Sequence, residues 1–288
     1  MITMADLRKQ PHWSYSAVNC YLNICSLQYY FRYIEHAESE QTSVVLPFGR
    51  AFHAAASEQA LKAGNGECLT KPELVDVFAS CFKVECDETE NLKFKNGDTI
   101  DSLITKASDM LDELLARWCD FNNLIGVAVP FKIAIDGLSK PLIGEFDLVI
   151  KEQSYPVIVD WKTAACSWSQ PKADRDLQAT CFCYAYEKMH NTKPYFRFDV
   201  VTKNKQPKFC QLYTERNADA FARFEAIVLA VEQAVNAGIF LPAETSHFCG
   251  DCPYASRCKS WHHRQRAGAV VPASLDKSMK KINQKDLL

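Results

Sequence analysis

The chain has 288 residues, of which 48% are hydrophobic and 24% charged, and its formal net charge is −2. This apolar mass supports a sizeable core and excludes disorder over most of the length. The near-neutral balance excludes a global basic field, so any polyanionic partner must meet a local patch.

Residues 14–36 carry aromatic and aliphatic residues at mixed three- and four-residue spacing, with Ser14 and Ser16 at the start, and predict a helix. An Ala-rich second helix spans 48–63 and ends near Gly64. A third spans 101–120, with Leu103, Ile104, Met110, Leu111, Leu114 and Leu115 on a partly periodic face. The middle changes period. Residues 131–137, 141–150 and 156–163 read as short strands joined by tight turns. A helix over 172–190 is followed by strands at 195–203 and 208–214. Asn217 caps a helix running to Gly238, with Phe221, Phe224, Val228, Val231 and Val235 along one face. Helices around one central sheet make an α/β or α+β pattern, and no linker divides the chain. The expected organisation is a single unit over 1–288. It has an N-terminal helical region (1–125), a core (126–215), a C-terminal helix with a cysteine cluster (216–263) and a basic tail (264–288).

Asp147 lies in GEFDLVI and Asp160 in VIVDWKT, with Lys162 two residues further on. Strand side chains alternate, so Asp160 and Lys162 share a face. Two carboxylates on adjacent strands hold a hard cation such as Mg²⁺ through oxygen. Such a cation lowers the pKa of a bound water, and a lysine beside it orients that water or offsets developing charge. The plainer reading of D-x-K is a strand-end salt bridge. It loses weight because two adjacent strands each deliver an acid after an apolar run.

Thirteen cysteines are many, and the number is odd. MITMADLRKQ lacks an apolar stretch, so no secretory signal is expected, and metal ligation or buried thiols are better readings than disulfides. Cys249, Cys252 and Cys258 form C-x2-C-x5-C. Three thiolates this close can share a metal centre. A fourth ligand from His247, His262 or His263 would make a zinc site, and a fourth cysteine a 4Fe–4S cluster. The tail brings Arg257, Lys259, Arg264, Arg266, Lys277, Lys280, Lys281 and Lys285 against Asp276 and Asp286. It reads either as a phosphate-tracking segment or as a solvated tail. Tyr29–Tyr33 reads as a base-stacking surface or as packing beside the cysteines.

The order G-E-F-D, then V-D-W-K about a dozen residues later, resembles the catalytic core of the PD-(D/E)xK nucleases. The RecB-type members are similar in a further respect: an upstream helical His, here His53 in G-R-A-F-H-A-A, and a Gln in the helix after the D-x-K strand, here Gln178. The family Tyr four residues beyond that Gln is replaced by Phe182, which leaves Tyr184 as the substitute. The closing C-x2-C-x5-C resembles the cysteine trio of AddB-like and CRISPR-associated adaptation nucleases, whose fourth cysteine lies near the N-terminus. Cys25 matches that position, with Cys20 as the fallback, because Tyr29, Phe31 and Arg32 follow it.

The resemblance spans about Ser14 to Trp261 and carries these expectations. The fold is a restriction-endonuclease-like mixed sheet flanked by helices, with N-terminal helices and a C-terminal Fe–S region. His53, Asp147 and Asp160, with the Trp161 carbonyl, hold Mg²⁺ or Mn²⁺. Lys162 positions or activates water, and Gln178 and Tyr184 support the site. Cys25, Cys249, Cys252 and Cys258 hold a 4Fe–4S cluster, with Zn²⁺ as the alternative. Closing so long a loop is worth about 4–5 kcal/mol by analogy with a disulfide. The remaining nine cysteines read as buried small hydrophobes. The implied activity is metal-dependent hydrolysis of DNA, at single-stranded ends, in recombination, repair or processing of phage or foreign DNA. The rivals are a non-catalytic DNA-binding scaffold and an RNA- or structure-specific endonuclease. No phosphate-binding GxxxxGK[ST] loop is present, so a helicase or recombination partner would be a separate chain. The longest apolar runs, such as Ala226–Val231, are far below the roughly 18 residues of a membrane span. The expected location is the cytoplasm, of a bacterium or of a phage host.

Overall fold

Thr3 closes a capping box with Asp6 and starts the short helix α1 (Met4–Arg8). The computed structural model describes residues 2–95, 97–117 and 123–266; Cys119 and the tail from 267 lie outside the described residues, as do the side chains of 264–266. β1 (Trp13–Ser14) leads into α2 (Tyr15–Asn19), where the Ser14 hydroxyl accepts from the Ala17 N–H. The long helix expected over 14–36 is interrupted. Its backbone widens into π-helical turns at Cys20–Ile24 and Tyr30–Ile34, on either side of α3 (Ser26–Tyr29), and Cys25 is extended (φ −172°, ψ 124°). The break lets the Leu241 carbonyl accept from the Leu27 N–H and the Ser26 hydroxyl. That tertiary contact outweighs local helical preference.

β2 (Thr42–Ser43) precedes α4 (Val45–Gly64) and α5 (Lys71–Asp87). α5 was not among the expected helices. Its signature was present: Thr70 and Glu73 form a capping box, Pro72 occupies the first turn, and Leu74, Phe78 and Phe82 recur every fourth residue. β3 (Leu92–Lys93) pairs with β2 in parallel, and α6 (Ile100–Leu115) follows.

The remaining elements are β4 (Leu124–Ile133), β5 (Leu142–Glu152), β6 (Tyr155–Ala164), α7 (Gln170–Arg175), α8 (Leu177–His190), β7 (Tyr195–Thr202), β8 (Phe209–Thr214), α9 (Ala218–Asn236), α10 (Ala255–Lys259) and α11 (Trp261–Arg266). β4 begins seven residues earlier than the strand expected at 131–137, and the helix expected over 172–190 is split at Asp176, which is extended.

The main sheet runs β1-β5-β6-β7-β8, with β4 on β5. β6 and β7 are parallel, as are β1 and β5, while β4–β5, β5–β6 and β7–β8 are antiparallel. This is an α/β fold with a mixed sheet covered on both faces. One face packs α8 and α9 through Phe146, Ile158, Phe196, Phe198 and Val200. The other packs α4, α5 and α6 through Leu148, Ile150, Val157, Val159, Trp161 and Val201. Cys20, Cys86, Cys181 and Cys183 are buried, as small hydrophobes should be, but Cys68 and Cys166 are exposed. Both exposed thiols follow helix-free loop sequence, where no core is available to them.

Candidate active site at the fork between two strands

The β5–β6 ladder ends at Leu148↔Val159. Beyond it β6 continues along β7 alone, through Asp160, Trp161 and Lys162. The other edge of β5 is held by β4 from Leu142 to Ile150, so β1, paired at Leu142 and Ile143, takes the edge that β6 has left. The strands thus part, and residues 144–147 of β5 face a gap. Side-chain alternation also slips here: Phe146 joins the α8 core, whereas Leu148 joins the α4 core. A strand of strict period two would place both on one side.

Asp147 and Asp160 stand at the root of this fork. From one face α4 brings His53, whose Nδ1 lies 3.2 Å from Asp147 Oδ2. The same oxygen accepts from the Trp161 N–H at 3.1 Å. From the other face α8 brings Gln178, whose amide nitrogen donates to Asp160 Oδ1 at 2.6 Å while its carbonyl accepts from Lys162 Nζ at 2.9 Å. Lys162 Nζ lies 2.5 Å from Asp160 Oδ2. Gln178 is itself aimed by Asp176, whose carboxylate caps α8 by accepting from the Gln178 N–H at 2.7 Å. Gly144 makes the packing beside the gap feasible, since a Cβ there would lie 2.4 Å from the Phe131 ring.

Electrostatics separate the two acids. Burial pushes the Asp160 carboxyl up and the charge of Asp147 adds to it, outweighing Lys162, so its pKa reaches about 6. Burial acts the same way on Asp147, but His53, Lys162 and the Trp161 N–H together hold it below the usual carboxylate range. Burial disfavours the charged forms of His53 and Lys162, yet the neighbouring carboxylates outweigh it and raise both.

The donor chemistry suits a hard divalent cation: two carboxylates, an imidazole and a backbone carbonyl. Buried Asp160 Oδ2 accepts no hydrogen bond of good geometry among the described residues, and the Lys162 ammonium lies beside it. Among the described residues no three ligating side chains converge into a ready-made cage. His53 and Lys162 neutralise the acids instead.

Tyr184 does not reach this group. It sits six residues after Gln178, on the far side of α8, where its hydroxyl donates to Glu225 Oε1 and its ring packs on Phe221 and Phe224. The helix period forbids Gln178 and Tyr184 from sharing a face. Phe182, one turn beyond Gln178, faces the same cleft as Gln178. Glu145, absent from the expected set, does approach the site. Burial and Asp147 push its carboxyl up, and its signal was the same alternation that selects Asp147.

The cysteines gather at a second place. Cys25, Cys252 and Cys258 pack around Leu27, Phe31 and Tyr254. Burial, with the other three thiols nearby, pushes the Cys258 thiol up. Cys249 is exposed and donates to the Ala243 carbonyl at 3.1 Å. Thiolates suit iron–sulfur or zinc chemistry, but the four do not close a ligand cage among the described residues. The histidines of the zinc alternative pair with rings instead: His247 with Phe248, and His262 with His263. Contacts without metal already dock the segment. Glu40 accepts from the Ser256 and Arg257 N–H groups, Arg257 pairs with Glu35 at 2.7 Å, and Gln41 donates to the Cys252 carbonyl.

The family model of the PD-(D/E)XK nuclease superfamily matches residues 12–259. The chain belongs to this superfamily. Asp160-Trp161-Lys162, at the fork, has the acid-x-Lys form of the superfamily's name. A crystal structure of a candidate exonuclease from Eubacterium rectale is similar, with a TM-score of 0.53 at 12% identity, covering 87% of this chain and 93% of that one. At that identity the likeness speaks for the fold alone. The structure of SSO0001 is more distant, with a TM-score of 0.38 at 11% identity over 82% of this chain and 92% of that one. No curated protein matches the chain significantly. Among the described residues no helix is long and apolar enough to cross a membrane.

Proposed function

We propose that this nuclease-superfamily member is a Mg²⁺- or Mn²⁺-dependent DNA exonuclease that acts on single-stranded ends, in recombination, repair or processing of foreign DNA. The observation that carries the reading is the fork. Two carboxylates with split pKa values meet there, and Gln178 joins the Asp160 carboxylate to the Lys162 ammonium. Asp147, Asp160 and His53, with the Trp161 carbonyl, are the residues that would hold the metal. When bound, a divalent cation makes water a better nucleophile and offsets charge on a phosphoryl oxygen.

The chain's own residues do the rest. His53 and Asp147 hold each other in place, and the imidazole must release its proton before it can ligate. Gln178 fixes the rotamer of Lys162, so that the ammonium points at the carboxylate oxygens around which a phosphate would sit. Lys162 keeps its proton at neutral pH, which makes it a donor that orients water and stabilises developing negative charge, in the manner of a preorganised electrostatic group. The four cysteines are proposed as ligands of a 4Fe–4S cluster that staples the chain's ends, and a motor partner, if used, is a separate chain. The decisive experiment incubates end-labelled single strands with the protein in Mg²⁺ or Mn²⁺. Digestion from an end, abolished by EDTA and by Asp160→Ala, is the expected result. An Asp160→Ala protein as active as wild type refutes the reading.

A further inference from the structure

A cleft of about 790 Å³ opens beside the fork, between α1, the N-terminal aromatic segment, α4, β5 and α8. Its floor includes Gln178 and Glu145, so it leads directly to Asp160 and Lys162. Its walls carry three guanidinium groups. Arg50 is bound to Glu85 at 3.0 Å. Arg8 and Arg32 are exposed and make no salt bridge among the described residues, although the Arg8 charge acts on the Glu145 carboxylate that lines the same cleft. Arg32 lies 5.3 Å from the centroid of the Tyr33 ring, and Tyr33 rests on Tyr29 with centroids 5.0 Å apart. Tyr29 is buried, so this stack is anchored in the core and presents its outer ring and guanidinium to the cleft.

We infer that this cleft is the binding track for a single nucleic-acid strand, with Arg8 and Arg32 on its phosphates and Tyr33 stacked against a base. The inference rests on the nuclease reading for its place beside the fork. Exposed cations outside any salt bridge are what a phosphate chain needs, and an aromatic face flanked by arginine is what an unstacked base needs. A duplex hides its base faces in its own stack. The cleft's volume lies in the range of about 300–1,000 Å³ that takes small ligands, which accommodates a few nucleotides of one strand.

The test measures binding of fluorescein-labelled oligo-dT by anisotropy as KCl is raised, in an Asp160→Ala background that cannot cleave. Adding Arg8→Ala and Arg32→Ala should weaken binding at least tenfold at low salt. It should also flatten the plot of log affinity against log salt by about 1.4, because each single-strand phosphate contact contributes about 0.7. Tyr33→Ala should weaken binding severalfold and leave that slope unchanged. An unchanged affinity and slope in the double-arginine variant overturns the inference, and so does an equal effect on a blunt duplex. Cleavage by the wild-type protein is scored separately. A protein that binds with these slopes but digests nothing defeats the nuclease reading and leaves the track standing.

Discussion

Burial alone would lower the pKa of Lys162, but Asp160 and Asp147 reverse that tendency and raise it. The residue therefore serves as a cation, and replacing it removes charge from the place where a phosphate would gain it. Lys162→Ala should lower the rate about 10²–10³-fold, the cost of losing one preorganised electrostatic donor. Single-turnover digestion, with circular dichroism to confirm folding, checks this. The acids predict a pH signature. Asp160, its pKa pushed up to about 6 by burial and by Asp147, must shed a proton before it can ligate, and so must His53, whose pKa is also raised. Both shifts have the same sign: protons compete with metal at low pH, and metal binding releases them. The rise in melting temperature on adding Mn²⁺ should be small at pH 5, grow through pH 6 as Asp160 gives up its proton, and go on growing above pH 6.5 as His53 gives up its own. Scanning fluorimetry across that range measures it, and a rise independent of pH contradicts the assignment.

At the scale of elements, the break between α7 and α8 sets the site. Arg216 holds it. This buried guanidinium donates to the Thr180 and Thr214 hydroxyls and to the carbonyls of Ala173, Asp176 and Glu215. Every one of its N–H groups is engaged, and no carboxylate is among the acceptors. Burial lowers its pKa. Asp176, so held, caps α8 at Gln178. Arg216→Ala should cost about 2–4 kcal/mol by leaving buried carbonyls unpaired. It should also reduce kcat well below the melting temperature, because Gln178 loses its aim. Urea denaturation and single-turnover rates separate the two effects; a destabilised variant with unchanged kcat would make Arg216 purely structural. The break itself was not readable from 172–190. That stretch scores as helix locally, and only a buried arginine arriving from the end of β8 stops it.

At the scale of the molecule, the segment around Cys249–Cys258 folds back onto Leu27, Phe31 and Glu40. A metal centre on Cys25, Cys249, Cys252 and Cys258 would close a loop of most of the chain. Anaerobically purified protein should contain about four irons and four sulfides per chain. Their removal should lower the melting temperature by roughly 10 °C, since loop closure is worth about 4–5 kcal/mol and a chain of this size shifts about 2–4 °C per kcal/mol. One zinc and no iron would replace the cluster with the zinc alternative.

The chain's own pattern determined the alternating strands that carry Asp147 and the Asp160-x-Lys162 pair, because a period of two is local. It also contains the capping box that starts α5 and the helix period that separates Tyr184 from Gln178. What only the tertiary structure decided is the parting of β5 from β6, the slip of alternation at Asp147, the break at Cys25 and the convergence of His53 and Gln178 from opposite faces of the sheet. Each depends on a partner far away in sequence: β1 on the vacated edge, Leu241 on α3, Arg216 on Asp176. Such contacts outweigh local preference only once the chain has folded, so no window of neighbouring residues records them.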